Sequence, residues 1–518
     1  MTRAPATRWR PPLEGTFATV SDAMVAAAAQ FGDREAYVEG SARLSFAGWS
    51  RAADGLAATL IDRGVLPGDV VAMHLPPSID YAVAYAAIVR AGAVATGINT
   101  RLGPREVAAI VDRCRPALVV RDPAIEGAGA GALEGYPAMW RSELVGAFSR
   151  PAPGAGYPVR QPSDPAVIIW TSGTTDAPKG AWFDHRNLRA AVASAGVMSS
   201  PYDRRLVGTP FAHAGYMAKL WEQLGWGATI VISPTPWSVD DMLRLLVDER
   251  ISVAGAVPTQ WAKLVEHPGR AGVDFSRLRV GLVATAPASP ELIRRVESTL
   301  GCPLIVRYAM TESPSITGTE PGDAPEVLQR TVGRPQAGVQ IAVVDQGGRP
   351  VPDGTVGRVS VRGACVMRGY WGAPELTADV LDEDGWLTSG DLGEIASDGN
   401  LVLSGRVDDM YIRGGYNVYP VEVEAVLVEH AKVARAAVVG VDAPVIGQIG
   451  VAFVVPSDPL DPPSTSELRE WVRALLADYK APDEVRLVDE LPETAMAKID
   501  KAALRARAGT AAARHSGS

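Results

Sequence analysis

The sequence predicts a large layered α/β domain, a strand-rich segment after it, and a small α+β domain at the end of the chain. The chain has 518 residues, more than the roughly 250 to 300 at which one hydrophobic core stops growing, so we expect at least two domains. Helical periods alternate with short apolar runs up to about residue 310, which is typical of parallel sheets covered by helices. Strand and turn signals dominate from there to about 404, and a compact unit of about a hundred residues follows.

The elements of the first domain follow from local spacing. Trp49, Ala53, Leu56 and Leu60 recur as one face of a helix that Gly64 ends. Apolar runs at 70–75 and 117–120 predict strands. Helical patterns occur at 79–90 and 106–113, with another extended run between them. Further on, 166–170 is a short apolar run that predicts a buried strand, and the last domain shows patterns at 421–430, 433–441, 449–455 and 467–477.

We therefore divide the chain into residues 1–404, a connecting segment 405–409, a second domain 410–507, and a tail 508–518. The tail is rich in small and polar residues, which predicts disorder. No internal repeat is present in the sequence.

Composition and charge exclude several classes of protein. A hydrophobic content of 47% with 21% charged residues is that of a globular protein, and a net charge of −9 argues against nucleic acid as a partner. The three cysteines, Cys114, Cys302 and Cys365, are too far apart for a metal motif, and they exclude a disulfide framework. No apolar run reaches the ~18 residues of a membrane span, and the N-terminus lacks an apolar signal core. We expect a cytoplasmic protein without a membrane span.

The segment Thr171–Gly180, TSGTTDAPKG, is the strongest chemical signal. It follows the buried strand directly and contains four hydroxyl side chains, two glycines and Lys179. Lysine is scarce here, because only seven of the 50 basic residues are lysine. Backbone N–H groups of a glycine turn, hydroxyls and an ammonium suit a polyphosphate. It is not a Walker A loop, since Lys precedes the last Gly and no Ser or Thr follows. A solvent-exposed Ser/Thr turn is the alternative.

Four further segments carry polar or glycine-rich patterns. Tyr308–Glu312, YAMTE, offers an aromatic face, a hydroxyl and a carboxylate. Asp391 follows a glycine turn, where a carboxylate can accept hydrogen bonds from two ribose hydroxyls. The segments 405–410, GRVDDM, and 414–420, GGYNVYP, lie where the domain boundary is predicted, and 494–501, TAMAKIDK, contains Lys498. Each pattern alone also fits a solvated turn.

Taken in order, these segments resemble the adenylate-forming superfamily, which includes acyl-CoA synthetases, firefly luciferase and the adenylation domains of peptide synthetases. The resemblance covers about residues 15–505, with further landmarks at 284–287, ATAP, and 332–335, VGRP. It implies an acyl-CoA synthetase that first joins a carboxylic acid to AMP, releasing pyrophosphate from ATP, and then transfers the acyl group to CoA. It also implies a small mobile C-terminal domain that rotates between the two steps.

The resemblance assigns roles residue by residue. It implies that Lys498, Glu312, Thr311 and His213 are catalytic, that Glu312 ligates Mg²⁺, that Asp408 is the hinge, and that Gly414 and Gly415 line the CoA tunnel. The residues implied for ATP binding are Thr171, Ser172, Gly173, Thr174, Thr175, Lys179, Thr285, Ala286, Pro287, Tyr308, Ala309, Met310, Asp391 and Arg406. Asp176, Ala309 and Ala497 depart from the family pattern, since each stands at a usual glycine position.

The segment 211–216, FAHAGY, resembles the start of the family's acyl pocket. Its implied pocket residues are His213, Ala214, Gly215, Ala218, Gly255 and Val257. Ala212 stands where amino-acid-activating relatives carry Asp near this position, which disfavours an amino acid. The small residues leave room for a large apolar acid, so we expect a hydrophobic monocarboxylic acid of fatty, aryl or polycyclic type as the substrate. For His213 the alternative is a core histidine.

Alternatives remain for the acyl acceptor, for the activity and for the oligomeric state. CoA is favoured because 363–389 lacks the insertion by which carrier-loading relatives exclude it. Loading of an acyl carrier protein, a catalytically silent nucleotide-binding homologue and a luciferase-like oxidation are the alternatives. The expected partners are thus a small carboxylic acid, ATP, Mg²⁺ and CoA, with a homodimer left open.

Overall fold

A computed structural model describes residues 9–125, 129–153, 156–171, 178–283, 288–414, 416–443, 446–494 and 498–515. The described chain forms two compact units. The first unit comprises the residues up to 171 together with 178–341 and 361–387, and the second comprises 342–360 and the residues from 388 onward. The predicted connecting segment, 405–409, lies inside the second unit, which also contains 388–404.

The helices lie between the strands along most of the chain. They are α1 (Val20–Phe31), α2 (Phe46–Asp62), α3 (Ile79–Arg90), α4 (Pro104–Cys114), α5 (Arg141–Phe148), α6 (His185–Ser194), α7 (Ala214–Met217), α8 (Leu220–Trp226), α9 (Val239–Asp248), α10 (Pro258–Glu266), α11 (Pro290–Leu300), α12 (Pro325–Arg330), α13 (Pro374–Ala378), α14 (Pro420–Val428), α15 (Thr465–Leu475) and α16 (Lys501–His515).

The strands are short, as expected for a layered α/β protein. They are β1 (Glu35–Glu39), β2 (Ala42–Ser45), β3 (Val70–His74), β4 (Val94–Gly97), β5 (Leu118–Arg121), β6 (Ala138–Trp140), β7 (Pro165–Trp170), β8 (Gly180–Asp184), β9 (Arg204–Val207), β10 (Thr229–Ile232), β11 (Val253–Ala256), β12 (Val280–Val283), β13 (Leu304–Met310), β14 (Ser313–Gly318), β15 (Arg334–Pro335), β16 (Val339–Val344), β17 (Gly357–Gly363), β18 (Gly369–Tyr370), β19 (Leu387–Ile395), β20 (Leu401–Arg406), β21 (Tyr411–Arg413), β22 (Tyr416–Val418), β23 (Val433–Ala443), β24 (Gly447–Pro456) and β25 (Glu484–Leu487).

The first unit contains two mostly parallel sheets. One has the strand order β18-β8-β7-β4-β3-β5-β6, with parallel pairing from β7 to β6 and antiparallel pairing at β8 and β18. The other has the order β15-β14-β13-β12-β11-β9-β10-β1-β2, and its strands from β13 to β1 are parallel. The predicted alternation of helix and strand is thus confirmed as layered α/β architecture.

Local sequence explains the helix boundaries that the structure adopts. Ser45 caps α2 by accepting a hydrogen bond from the Gly48 N–H group, and Ser78 caps α3 in the same way through Tyr81. Both helices bury an apolar face, and the indole N–H of Trp49 donates to the Ala82 carbonyl between them at 3.1 Å. The predicted helix at 79–90 coincides with α3.

The second unit ends in a sheet with the order β22-β21-β24-β23, and β25 pairs with β24. Alternate residues of β23 pack on opposite faces. Val438 lies with the residues of α14 and α15, whereas Val439 lies with Leu504 and Ala508 of α16. Each face of this sheet is therefore covered by helix, as expected for a small α+β domain.

Helix α16 covers most of the segment 508–518 for which the sequence predicted disorder. Leu504 and Ala508 lie one helical turn apart and are 0% and 1% exposed, because both pack on the sheet. The alanines of this segment favour a helix intrinsically. Residues 508–515 of the predicted tail thus belong to α16.

In the part of the chain that the structure describes, no helix combines the length and the apolarity that crossing a bilayer requires.

The free cysteines, Cys114, Cys302 and Cys365, are all buried, and burial raises the pKa of each thiol.

Candidate functional site

The implied site residues of the first unit lie at the carboxyl ends of parallel strands. Thr171 follows β7 in the seven-stranded sheet. In the nine-stranded sheet His213 lies beyond β9, Val257 follows β11, and Thr311 follows β13. Because β9, β11, β12 and β13 are parallel neighbours, their carboxyl ends share one edge. Ligands of open α/β sheets bind at such edges.

The two carboxyl edges meet inside the first unit. Gly97 ends β4 of the seven-stranded sheet, and a Cβ atom at this position would lie only 2.7 Å from the Cα of Ala212, beyond β9 of the other sheet. Helix α7, which carries Ala214, also packs against β7. The acyl segment therefore lies close to the carboxyl edge of the seven-stranded sheet, where the phosphate-loop segment begins.

The described ends of the phosphate-loop segment are joined to each other. The Thr171 N–H group donates to the Lys179 carbonyl at 2.9 Å, and the Lys179 N–H group donates to the Thr171 hydroxyl at 3.2 Å. Gly180 follows, where a Cβ would lie 2.9 Å from the Trp170 ring, so the close approach of β8 requires glycine. The backbone of Lys179 is thus held in place by its hydrogen bonds to Thr171 and by the close packing of Gly180.

The segment 308–312 forms the end of β13 and the turn into β14. Tyr308 is 8% exposed, Ala309 is exposed, and Met310, Thr311 and Glu312 are half-buried. The Glu312 carbonyl accepts a hydrogen bond from the Met367 N–H group at 2.8 Å. The backbone of Glu312 is thereby tied to a segment that leads to β18.

Tyr370, which the sequence reasoning missed, contacts two of the implied site residues. Its hydroxyl donates to Glu312 Oε1 at 2.7 Å, and its ring centre lies 5.7 Å from Lys179 Nζ. The side chain is 7% exposed. Burial first, and then the charge of Glu312 and the hydrogen bond to it, raise the pKa of Tyr370 far above its ordinary value. The phenol therefore stays protonated and remains a donor. Its only sequence signal was an aromatic residue after a glycine, which is common.

The acyl segment is built around His213. This residue caps the short helix α7, and its Nδ1 accepts a hydrogen bond from the Gly215 N–H group at 3.3 Å. Accepting at Nδ1 leaves Nε2 as the protonated nitrogen of the neutral ring. Ala214 and Ala218 are buried, and Gly215 is exposed.

The two ends of the acyl segment, Phe211 and Tyr216, form an aromatic cluster with Tyr81. The rings of Phe211 and Tyr216 are stacked at 3.7 Å, and Tyr81 meets the edge of both. Gly255 is exposed although β11 is an interior strand, and a Cβ there would make only ordinary contacts with Leu282. Position 255 therefore opens space at this edge, beside the half-buried Val257.

In the second unit, Asp391 and Arg406 lie opposite each other on the antiparallel strands β19 and β20. Their side chains approach to 3.6 Å between Asp391 Oδ1 and Arg406 Nε. The Asp391 N–H group donates to the Ser389 hydroxyl at 3.1 Å, which fixes the turn. The structure thus brings together two of the residues that the resemblance assigns to ATP binding.

The implied hinge is held by helix α16. The Arg505 guanidinium donates to the Asp408 carbonyl at 3.1 Å and to Asp409 Oδ1 at 2.7 Å. Lys501 pairs with Glu424 at 2.8 Å and approaches the other oxygen of Asp409. Asp408 itself is exposed.

Lys498 is exposed and lies just before α16. The Thr494 N–H group donates to the Lys498 carbonyl at 2.7 Å, so the two described ends of this turn are paired. Gly414 has φ +56° and donates its N–H to the Ile446 carbonyl. A left-handed backbone at this position favours glycine.

Several predicted positions lie outside the described residues. They are Ser172, Gly173, Thr174, Thr175, Asp176, Thr285, Ala286, Pro287, Gly415 and Ala497.

Glu312 is suited to hold the Mg²⁺ that accompanies ATP. One of its carboxylate oxygens accepts from Tyr370, and a single oriented carboxylate completed by phosphate oxygens and water is a usual environment for this ion. Among the described residues no cluster of three or more His, Cys, Asp or Glu side chains could hold a metal alone. Glu312 could therefore hold a Mg²⁺ ion only together with other ligands, such as phosphate oxygens and water.

Family comparison decides the assignment. A family model described as AMP-binding enzyme matches residues 24–371, which is more than half of the chain, and one described as AMP-binding enzyme C-terminal domain matches residues 422–498.

The chain belongs to the AMP-binding enzyme family.

Relatives of this AMP-binding enzyme support the finer assignment. It is 34% identical to the 3-[(3aS,4S,7aS)-7a-methyl-1,5-dioxo-octahydro-1H-inden-4-yl]propanoyl:CoA ligase of Mycobacterium tuberculosis, over 94% of this chain and 98% of that protein. It is also 34% identical to a feruloyl-CoA synthase of Amycolatopsis sp, over 91% and 95%. The crystal structure of ATP-bound MatB from Rhodopseudomonas palustris matches with a TM-score of 0.83 and 28% identity, over 94% and 98%. The predicted membership in the adenylate-forming superfamily, acyl-CoA synthetase type, is confirmed, and with it the acid–thiol ligase class.

Proposed function

We propose that this AMP-binding enzyme activates a bulky hydrophobic monocarboxylic acid with ATP and transfers the acyl group to CoA. The observation that carries the proposal is the set of contacts around Tyr370. A carboxylate suited to Mg²⁺ and an ammonium suited to phosphate are held on one tyrosine, at the carboxyl edge where such folds bind nucleotides. The family match covers both domains that the two-step reaction needs.

In the first step, a carboxylate oxygen of the acid attacks the α-phosphorus of ATP, and the bond to the leaving pyrophosphate breaks. Charge stabilisation and alignment would supply most of the catalysis. Lys498 would contact both the acid carboxylate and the α-phosphate, Thr311 would bind the α-phosphate, and residues 171–175 with Lys179 would hold the pyrophosphate. Mg²⁺ bound with ATP supplies charge neutralisation, and Glu312 would hold it.

The resemblance assigns several segments of the chain to the nucleoside. Tyr308 would pack against the adenine, with 285–287 and the backbone of 309 and 310 beside it. Asp391 would accept hydrogen bonds from the ribose hydroxyls, and Arg406 beside it would orient that carboxylate. The observed pairing of these two side chains supports the assignment.

In the second step, the sulfur of CoA attacks the carbonyl carbon of the acyl-adenylate, the thiol proton is lost, and AMP leaves. Rotation about Asp408 would bring Gly414 and Gly415 to the path of the thiol. The exposure of Asp408 is compatible with a backbone that changes conformation there.

The shape of the acyl segment supports a large apolar acid. The residues at 212, 214, 215 and 218 are small, Gly255 is exposed in an interior strand, and the rings of Tyr81, Phe211 and Tyr216 pack together at this segment. Two relatives are named for a bicyclic propanoic acid and for ferulic acid. We therefore expect an aryl or polycyclic acid to be a better substrate than acetate or a free amino acid.

Pyrophosphate release tests the proposal. The full-length enzyme is assayed with ATP and Mg²⁺ against acetate, amino acids, straight-chain fatty acids, aryl acids and polycyclic acids, each with and without CoA. We expect release with the large apolar acids, and thioester only when CoA is present. Faster turnover of acetate or amino acids than of every large apolar acid would refute the substrate class. Adenylate formation that never leads to a CoA thioester would refute the acceptor.

The role of Lys498 is tested with a matched pair of lysine variants. Lys498→Ala should reduce acid-dependent ATP–pyrophosphate exchange by about a hundredfold or more, while thioester formation from supplied acyl-adenylate and CoA is retained. Lys263→Ala removes an exposed lysine of α10 and should leave both rates unchanged. An equal loss of both rates in Lys498→Ala would contradict its role in adenylation.

A further inference from the structure

Tyr370 is placed by backbone hydrogen bonds on both of its sides. It lies on β18, opposite Ala181 of β8, and the next residue, Trp371, donates its N–H to the Gly180 carbonyl at 2.7 Å. The Tyr370 N–H group donates to the Thr377 hydroxyl at 2.9 Å. The ring is therefore held beside the strand that Lys179 precedes, and it has little freedom to move away from Glu312.

The polar contacts of Tyr370 exceed what burial requires. A buried phenol needs one hydrogen-bond partner, and a backbone carbonyl would serve. Here the partner is the carboxylate of Glu312, 58 residues earlier in the chain. A second charged group of opposite sign, Lys179 Nζ, lies within the ~6 Å at which a cation is attracted to an aromatic face.

We propose that Tyr370 is a positioning residue for the nucleotide: its hydroxyl orients the Glu312 carboxylate toward Mg²⁺ while its ring holds the Lys179 ammonium toward the phosphates. The inference rests on the proposed function. The two tasks fall on two parts of one side chain, because the hydroxyl donates to the carboxylate and the ring faces the ammonium. A carboxylate held through one oxygen presents the other in a defined direction, and partners of metal ligands tune metal affinity in this way.

The two tasks can be separated by substitution. Tyr370→Phe removes the hydroxyl and keeps the ring, whereas Tyr370→Leu removes both. We expect Tyr370→Phe to weaken the binding of ATP about tenfold or more when Mg²⁺ is present, and to leave ATP binding in EDTA unchanged. Tyr370→Leu should weaken ATP binding in both conditions. Titration calorimetry on the full-length enzyme measures these affinities directly, without turnover.

A double-mutant cycle tests whether Tyr370 acts through Glu312. In a Glu312→Gln background, Tyr370→Phe should cause less than a twofold further loss of affinity in Mg²⁺, because the carboxylate that it orients is already absent. Thermal unfolding of each variant without ligand identifies any loss of fold. A purely structural tyrosine would lower the unfolding temperature and change both ATP affinities equally.

The outcomes distinguish the inference from the proposed function. If the wild-type enzyme binds ATP with Mg²⁺ and catalyses acid-dependent exchange, while Tyr370→Phe matches it in both Mg²⁺ and EDTA, the positioning role is refuted and the function stands. A full tenfold further loss in the Glu312→Gln background refutes it as well. If the wild-type enzyme shows neither ATP binding nor exchange with any acid, the proposed function itself fails.

Discussion

Replacing the buried Glu222 with Gln should cost the first unit about 3 kcal/mol of unfolding free energy at neutral pH. Glu222 is 2% exposed, and its carboxylate accepts hydrogen bonds from Arg205 and Ser199 at 2.7 Å and pairs with Lys219 at 3.2 Å. Burial raises its pKa, but Lys219, Arg205 and Ser199 outweigh that effect and bring the pKa from 4.5 to about 2. Since a tenfold change in proton affinity corresponds to about 1.36 kcal/mol, the charged form contributes about 3 kcal/mol.

The pH dependence of this contribution has a definite sign. The pKa of Glu222 is lower in the folded chain than in the unfolded chain, so the stabilisation is complete above pH 4.5 and is lost as the pH falls toward 2. The stability difference between the wild type and Glu222→Gln should therefore be about 1 kcal/mol smaller at pH 3.5 than at pH 7. Other titrating groups cancel in this difference, because both proteins contain them.

Urea unfolding at fixed pH, followed by tryptophan fluorescence, measures the difference. Trp221 and Trp226 lie on the same helix as Glu222 and are buried, so they report on this region. Glu326→Gln is the control, because Glu326 pairs with Arg294 on the surface, where an ion pair contributes about 1 kcal/mol or less. A Glu222→Gln variant as stable as the control at pH 7, or a difference that does not shrink at pH 3.5, would refute the reasoning.

Three further outcomes are expected. Lys179→Arg should raise the KM for ATP at least tenfold in the exchange assay although the charge is kept, because a guanidinium is larger and planar. Lys432 lies in an exposed ion pair, so the control variant Lys432→Arg should leave the KM for ATP unchanged. Arg505→Gln removes both hydrogen bonds from Arg505 to the 408–409 segment. If the hinge acts as proposed, the ratio of thioester formation to pyrophosphate exchange should change severalfold. An unchanged ratio would count against rotation about Asp408. Burial, reinforced by the nearby Arg121, lowers the pKa of His74 to about 4, so stability is lost as the pH falls from 6.5 toward 4. His74→Gln should reduce that loss by up to about 3 kcal/mol in urea titrations, and an identical acid profile would contradict it.

Much of the first unit's architecture was predictable because local patterns matched the final elements. The predicted helix at 79–90 is α3, and the predicted strand at 166–170 is β7 with one more residue. The sequence assigned Asp391 and Arg406 to ATP binding through the resemblance, whereas their pairing is seen only in the register of β19 and β20. Helix α16 was not predictable from the small residues of the tail, because Leu504 and Ala508 are buried against a sheet that precedes them in the chain.

The sequence by itself determined the family, the order of the motifs and the residue types that carry the chemistry, because these depend on short segments and their spacing. Only the tertiary structure decided which charges are held together. Tyr370 meets Glu312 and Lys179 because β18 pairs with β8 in a particular register, and Glu222 is ionised because Arg205 and Lys219 converge on one buried carboxylate. Pairing between distant strands and burial depend on the whole packed unit, so no local pattern specifies them.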